Sequence, residues 1–266
     1  MKSAAIRGPL IKYLYYRFIA ICNSLHEVLI PPVITDHHEI PIFINNFNRL
    51  GSLKKLIEAL ESRGYYRINI IDNNSNYPPL LEFYKSCKYN VIRLERNLGM
   101  NAFWLSGIYE KYKHDFFVYS DSDIVPIDEC PSDFLLFFLQ TLKKYPLARK
   151  VGFSLKIDDL PDHYSHKDEV LFYETHFSQD YCRDGILYWA PIDTTFALYR
   201  PRTRRKHANG CIEMYRTGFP YMARHLPWYI NSDDPDEETR YYLEHLQNKT
   251  SWSHRSKSLL SSQGNK

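Results

Sequence analysis

Four things are missing from this chain, and each absence removes a class of function. It contains no G-x-G-x-x-G and no G-x-x-x-x-G-K-[ST]. A dinucleotide Rossmann site and a P-loop both need glycines to bring backbone N–H groups against phosphate, so neither is expected. Cysteine is sparse and scattered: Cys22, Cys87, Cys130, Cys182 and Cys211 are odd in number, with no C-x-x-C and no zinc spacing. That usage points to reduced thiols in a reducing compartment. The net charge is only +3 over 266 residues, too little to argue for a nucleic-acid partner. No apolar run is long enough to span a bilayer.

The nearest approach to such a run is Leu10 to Ile21, which Lys12 and Arg17 interrupt. No clear small-residue cleavage site accompanies it, so it does not read as a signal peptide. Residues 8–22 read as a basic, aromatic amphipathic helix that either lies in a membrane interface or packs on the domain. Pro31-Pro32 ends it. Localisation is expected to be cytoplasmic, with peripheral attachment to the cytoplasmic membrane face as the open alternative.

What is present is an ordinary globular composition, 44% hydrophobic and 24% charged, long enough for one large domain or two small ones. Tyrosine is abundant, at 22 residues; it suits clefts for sugars and other amphipathic ligands, and it also fills cores. The most informative stretch is Phe116 to Pro126. An apolar run without polar alternation reads as a strand buried on both faces, and it ends in Ser120-Asp121-Ser122-Asp123. Pro126 is expected to stop the ladder. Two carboxylates at a strand exit can reach one hard cation, whose remaining shell a diphosphate can complete. The alternative is a capped turn with a solvated second carboxylate.

Upstream, the same plan repeats. A strand at 40–44 exits into Asn45-Asn46-Phe47-Asn48-Arg49, and a strand at 67–71 exits into Asp72-Asn73-Asn74-Ser75. A strand at 90–94 exits into Glu95-Arg96-Asn97-Leu98-Gly99. Between them lie a helix at 52–63, with Leu53, Leu56, Ile57 and Leu60 on one face and Ser52 as its N-cap, then helices at 78–86 and 100–112. Strands alternating with helices predict an α/β fold with a doubly wound, mostly parallel sheet and helices on both faces. In such sheets ligands bind beyond the carboxyl ends of the strands, so Asn45, Asp72, Asn97 and Asp121 should line one crevice.

These four exits, in this order and spacing, resemble the strand ends of family-2 glycosyltransferases of the A-type fold. The resemblance covers residues 38–130 well and continues more weakly to about 230. It implies that Asn45 and Asp72 hold the nucleotide, with Asn48, Arg49, Asn97, Gly99 and Ser122 also on the donor side. It implies that Asp121 and Asp123 carry the metal and the donor diphosphate. The first exit departs from the family's usual Pro-Thr-Tyr type, reading Asn45-Asn46-Phe47 here. A late histidine is a third metal ligand in many such enzymes, and His225, within Tyr221 to Tyr229, is the candidate. An imidazole ligand favours Mn2+ over Mg2+. Trp228 and Tyr229 are either a sugar-stacking wall or core.

The second half carries a helix at 133–145, then strands at 150–157, 186–190 and 196–200. By resemblance it holds the acceptor. An inverting transfer needs a carboxylate to take the acceptor proton. The candidates are Asp193, at the start of an apolar strand beside Thr194 and Thr195, and Asp158 and Asp159; Glu237 or Glu238 is a more distant one. The run Asp233 to Glu238 otherwise reads as a helix N-terminus. The basic cluster Arg202 to His207 suits a phosphate, a membrane surface or a solvated loop.

The organisation expected is a helical segment at 1–37, one transferase domain at 38–250 divided near residue 130, and a disordered tail at 251–266. The activity implied by the resemblance is metal-dependent, inverting transfer of a sugar from a UDP- or GDP-sugar to a glycan or lipid-linked glycan, as in cell-surface polysaccharide synthesis. The rival readings are a sugar-phosphate nucleotidyltransferase and a non-catalytic carbohydrate-binding relative.

Overall fold

Apolar runs of five or six residues, too short for helices and too apolar for loops, build the centre of the molecule. The computed structural model describes residues 7–179, 182–183, 185–192, 196–204 and 213–246. Its first half runs β1 (Ile42–Asn46), α2 (Gly51–Glu61), β2 (Ile68–Asp72), α3 (Pro78–Ser86) and β3 (Asn90–Arg93), after an N-terminal α1 (Arg7–Leu29). Then come α4 (Ala102–Leu105), α5 (Ile108–Tyr112), β4 (Phe117–Asp121), β5 (Ile124–Pro126) and α6 (Phe134–Lys144). The second half holds β6 (Lys150–Leu155), α7 (Lys167–Gln179), β7 (Cys182–Arg183), β8 (Leu187–Tyr188), β9 (Ala197–Tyr199), β10 (Met214–His225) and α8 (Glu237–Glu244).

All the strands join one mixed sheet in the order β3-β2-β1-β4-β9-β6-β10-β8-β7, with β5 paired to β10. β3, β2, β1 and β4 are mutually parallel, as expected. β9 enters antiparallel between β4 and β6. The period of two along each strand divides the core between the faces. Ile42, Ile44 and Val118 pack with Leu53, Leu56 and Leu60 of α2 and with Phe134 and Phe138 of α6. Phe43, Phe117 and Tyr119 point the other way, onto Ala102 and Phe103 of α4 and Tyr109 of α5.

Several expectations are corrected. The single helix expected at 100–112 is a 3-10 turn followed by α4 and α5, because Gly107 sits at φ 82° and breaks the ladder. Pro126 is the last residue of β5, as expected, but the strand it ends is a separate one that pairs with β10, where Pro126 lies opposite Ala223. The run at 186–190 forms only the two-residue β8, and α7 and β10 had no counterpart in the sequence reading. Ser52 is buried inside α2 rather than capping it. The cap comes from across the chain: Glu238 Oε2 accepts from the N–H groups of Leu50 and Gly51, both at 2.8 Å. A carboxylate there also complements the helix dipole. Asp236 in turn caps α8 by accepting from Thr239 N–H, so the acidic run does open a helix.

α1 lies against the edge of the sheet from which β4 and β6 start. Ser24 donates to the carbonyl of Pro146, and Val33 and Ile34, just past the helix, donate to Asp115. No helix among the described residues is long and apolar enough to cross a membrane.

Two stability predictions follow from close contacts. A Cβ on Gly152 would stand 2.7 Å from both Ala197 Cβ and Phe196 O, so Gly152→Ala forces β6 and β9 apart. Overpacking of this kind costs about 1–3 kcal/mol, and thermal unfolding of Gly152→Ala should fall by roughly 3–10 °C. Glu238→Ala removes the α2 cap and should cost about 1 kcal/mol, read as a lower denaturant midpoint at unchanged slope.

Candidate functional site

The parallel register sets the site. Asn46 is paired with Asp72 and Asn45 with Asp121, while Asp72 lies opposite Arg93. The polar exits of four strands therefore stand side by side. Asn45 Nδ2 donates to Asp121 Oδ1 at 3.1 Å, and Asn73 Nδ2 donates to Asn45 Oδ1 at 3.0 Å. Asn73 also donates to Gly99 O and accepts from Leu98 N–H. Asn97 accepts from Gly99 N–H, closing a tight turn in which Gly99 has φ 66°. Asn73 is the hub of this ladder, although the sequence reading assigned it no role. It sits next to Asp72, and that adjacency was the available signal.

Asp72 is buried and engaged on all sides. Arg93 Nε donates to Oδ2 at 3.0 Å, Tyr84 Oη donates to Oδ1 at 3.3 Å, and Ser75 N–H lies against both oxygens. Asn48 has φ 51° and is buried; its Oδ1 accepts from the N–H groups of Asn76 and Tyr77. Its side chain thus anchors the loop after β2.

Asp123 faces His225, with Nε2 to Oδ2 at 3.7 Å. This meeting is made by the β5–β10 pair, in which His225 lies opposite Ile124 and Leu226 N–H donates to Asp123 O. Burial alone would push the Asp123 carboxyl up, but His225 beside it, with Arg49 nearby, holds it below the usual carboxylate range. The guanidinium of Arg49 is buried and lies 3.8 Å over the ring of Tyr242 from α8. Phe47 meets the same ring edge-on, with centroids 6.2 Å apart. Trp228 packs edge-on against His225, so it serves as a wall of the histidine pocket.

Asp123 Oδ1, His225 Nδ1 and Arg49 Nε are all buried and have no hydrogen-bond partner among the described residues. Buried polar atoms left unpaired are costly, and three together at one crevice mark a place for a polar ligand. The donor set of a carboxylate oxygen and an imidazole nitrogen fits a divalent transition cation. Asp121 is nearby but turned to Asn45. A tighter trio exists elsewhere: the ligand atoms of Asp36, His37 and His38 lie within 4.8 Å of one another. That trio precedes β1, away from the strand exits, and Asp36 already accepts from His38 N–H at 2.9 Å.

The candidate bases divide. Asp158 is exposed and paired with Lys156 at 2.8 Å. Asp159 takes Arg224 on Oδ2 and the Tyr229 hydroxyl on Oδ1. Its burial is outweighed by these two partners, which hold its carboxyl below the ordinary range. Asp193 lies outside the described residues, as do the disordered tail expected from residue 251 and residues 205–207 of the basic cluster. Glu238 caps α2, as described above.

Residues 42–217 match the sequence model of Glycosyl transferase family 2. His225, Trp228 and Tyr242 fall beyond the matched stretch. No curated protein matches the chain significantly. Among solved structures, residues 1–349 of S. aureus TarS are 12% identical, with 61% of this chain and 47% of that one covered and a TM-score of 0.36. Glucosyl-3-phosphoglycerate synthase from Mycobacterium tuberculosis, in complex with phosphoglyceric acid, is 13% identical, with 60% and 56% covered and a TM-score of 0.38. Apo UDP-glucose pyrophosphorylase is 10% identical, with 78% and 100% covered and a TM-score of 0.38. The chain thus spans about half the length of the first two structures, 47% and 56%. The family match extends over most of the chain, from the first strand through the Asp pair and into β10, and it shows that the chain belongs to glycosyl transferase family 2.

Proposed function

We propose that this chain transfers a sugar from a nucleoside-diphosphate donor to a glycan or lipid-linked glycan acceptor, with inversion. The observation that supports this most is the crevice where Asp123, His225 and Arg49 converge beside Asp121, each of the three with a buried atom unpaired. Asp121, Asp123 and His225 would hold a divalent cation, Mn2+ in preference to Mg2+, and when bound it would offset charge on the departing diphosphate. Arg49 adds a fixed cation for the same charge. Asn45, the Asn73 ladder and the backbone around Gly99 position the nucleotide. Asp72, with both oxygens taken by Arg93, Tyr84 and Ser75, supports that wall from behind.

The reaction needs one more group. A carboxylate takes the proton from the acceptor hydroxyl as that oxygen bonds to the anomeric carbon, and the bonding pair of the glycosidic C–O bond leaves with the diphosphate. Asp193 is the proposed base. Asp159 suits this role less, because its ion pair with Arg224 lowers its basicity. A nucleotidyltransferase is disfavoured because Asn45 to Arg49 contains no glycine for a phosphate loop. The proposed setting is cytoplasmic polysaccharide synthesis.

The donor proposal is tested by thermal shift with UDP, GDP and CDP, each with and without Mn2+. A ligand that binds only the native state must stabilise it. One nucleotide should raise Tm only when Mn2+ is present, and Asp123→Ala should abolish the rise. No shift with any nucleotide would sink the proposal. For the base, Asp193→Asn should lower kcat on the order of 10²–10⁴-fold with nucleotide affinity retained. Full activity in Asp193→Asn, with loss in Asp158→Asn or Asp159→Asn, would move the role to that residue.

A further inference from the structure

α1 is amphipathic with its apolar side outward. Its inward side carries the polar contacts: Arg17 pairs with Glu213 at 3.7 Å, Glu27 pairs with Arg200 at 2.7 Å, and Ser24 meets Pro146 O. Only Ala20 is buried among its described apolar side chains. Leu14, Phe18, Ile21, Leu25 and Val28 run along the outer side, 44–79% exposed. The stripe continues past the helix through Ile30 to Val33, which is 88% exposed. Side chains of this size left open from Leu14 to Val33 amount to an apolar patch on the order of 1,000 Å², beyond the few hundred Å² usual for a monomer.

Basic side chains stand close to α1 in two places. Lys143 and Lys144 end α6, immediately before the Pro146 carbonyl that Ser24 contacts. Arg202 N–H donates to Lys113 O, two residues before the Asp115 that accepts from Val33 and Ile34. Arg204 is exposed on the same loop. Of the acidic groups close to the helix, Glu27 pairs with Arg200 and Glu213 with Arg17, while Asp115 accepts from the N–H groups of Val33 and Ile34.

We infer that α1 lies flat on an anionic lipid bilayer, apolar stripe down, with Lys143, Lys144, Arg202 and Arg204 meeting the headgroups. An apolar face bearing Tyr15 and Phe18, flanked by cations, matches the requirements of an interfacial helix. A second copy fits less well, because a two-fold contact over this stripe would bring the basic side chains of both copies together. The geometry adds an orientation. α1 sits at the starting end of β4, and Asp121 closes its other end about 13 Å away. The helix is therefore a tether that keeps the crevice turned from the bilayer, which suits an acceptor presented as an extended glycan rather than a headgroup.

The test is co-sedimentation of the full chain with vesicles of phosphatidylcholine, alone or mixed with phosphatidylglycerol. Binding should require phosphatidylglycerol and weaken with salt. The double variant Phe18→Ser/Leu25→Ser should bind more than tenfold less, since each lost apolar group counts strongly. Lys143→Ala and Arg202→Ala should each weaken binding about fivefold. Phe18, Leu25 and Lys143 are exposed and Arg202 is half-buried beside His114, all away from the crevice, so unfolding midpoints and the nucleotide response should match wild type. Absence of sedimentation by folded wild type overturns the inference. So does equal binding to phosphatidylcholine alone. A concentration-dependent dimer in light scattering, dispersed by Phe18→Ser/Leu25→Ser without any vesicle binding, would assign the stripe to a second copy instead.

Discussion

Everything at the site depends on the pairing register of β2, β1 and β4. These strands are buried on both faces, so a slip of one residue would exchange the two cores and draw Asn46, Asp72 or Asp121 into apolar surroundings. The polar residues can sit only where the ladder ends. Once Ile42 meets Ile68 and Val118, the exits are placed without further choice. The crevice is thus a by-product of core packing, and its geometry is as rigid as the core.

That edge separates two kinds of carboxylate. Asp72 is closed off by a guanidinium, a phenol and a backbone N–H, and its charge stabilises the loop that carries Asn73. Asp123 is less enclosed, with 17% of its side chain exposed, and keeps one buried oxygen unpaired next to an imidazole with an unpaired nitrogen. Groups left in that state inside a protein lower its stability, and function is the common reason for retaining them. The molecule offsets part of this cost with charge balance, since Arg49 and His225 both favour the ionised form of Asp123.

The C-terminal helix is part of the same assembly. Glu238 caps α2, Tyr241 donates to Asn76 O, and Tyr242 covers Arg49. Three side chains on two turns of helix thereby tie residues 237–244 to both the first and second strand exits. The first exit reads Asn45-Asn46-Phe47, and Tyr242 brings a second aromatic ring beside Phe47 from α8. At the opposite end of the strands α1 is held by two ion pairs together with Tyr16 and Ala20, which leaves its outer apolar stripe for another partner.

Local pattern determined the first four strands, α2, α3, α6 and the position of the Asp pair. In each, a short apolar run or a 3.6-residue periodicity has only one way to be buried. The same reading placed Asp121, Asp123 and Asp72 at a common edge, because parallel topology leaves no other. Tertiary structure decided what local pattern could not encode. The break at Gly107 needed a positive φ that the surrounding helix-forming residues conceal. β10 was hidden because Gly218 and Pro220 interrupt its pattern, and its pairing with β6 shifts register between Thr217 and Met222. The meetings of His225 with Asp123, Tyr242 with Arg49 and Glu238 with α2 join residues about 100 to nearly 200 positions apart. Helix α1 shows the division most plainly: its amphipathic character is written in the order of its residues. Which side faces the protein was decided by Glu213 and Arg200, which pair with Arg17 and Glu27, and by the core surface that takes Tyr16.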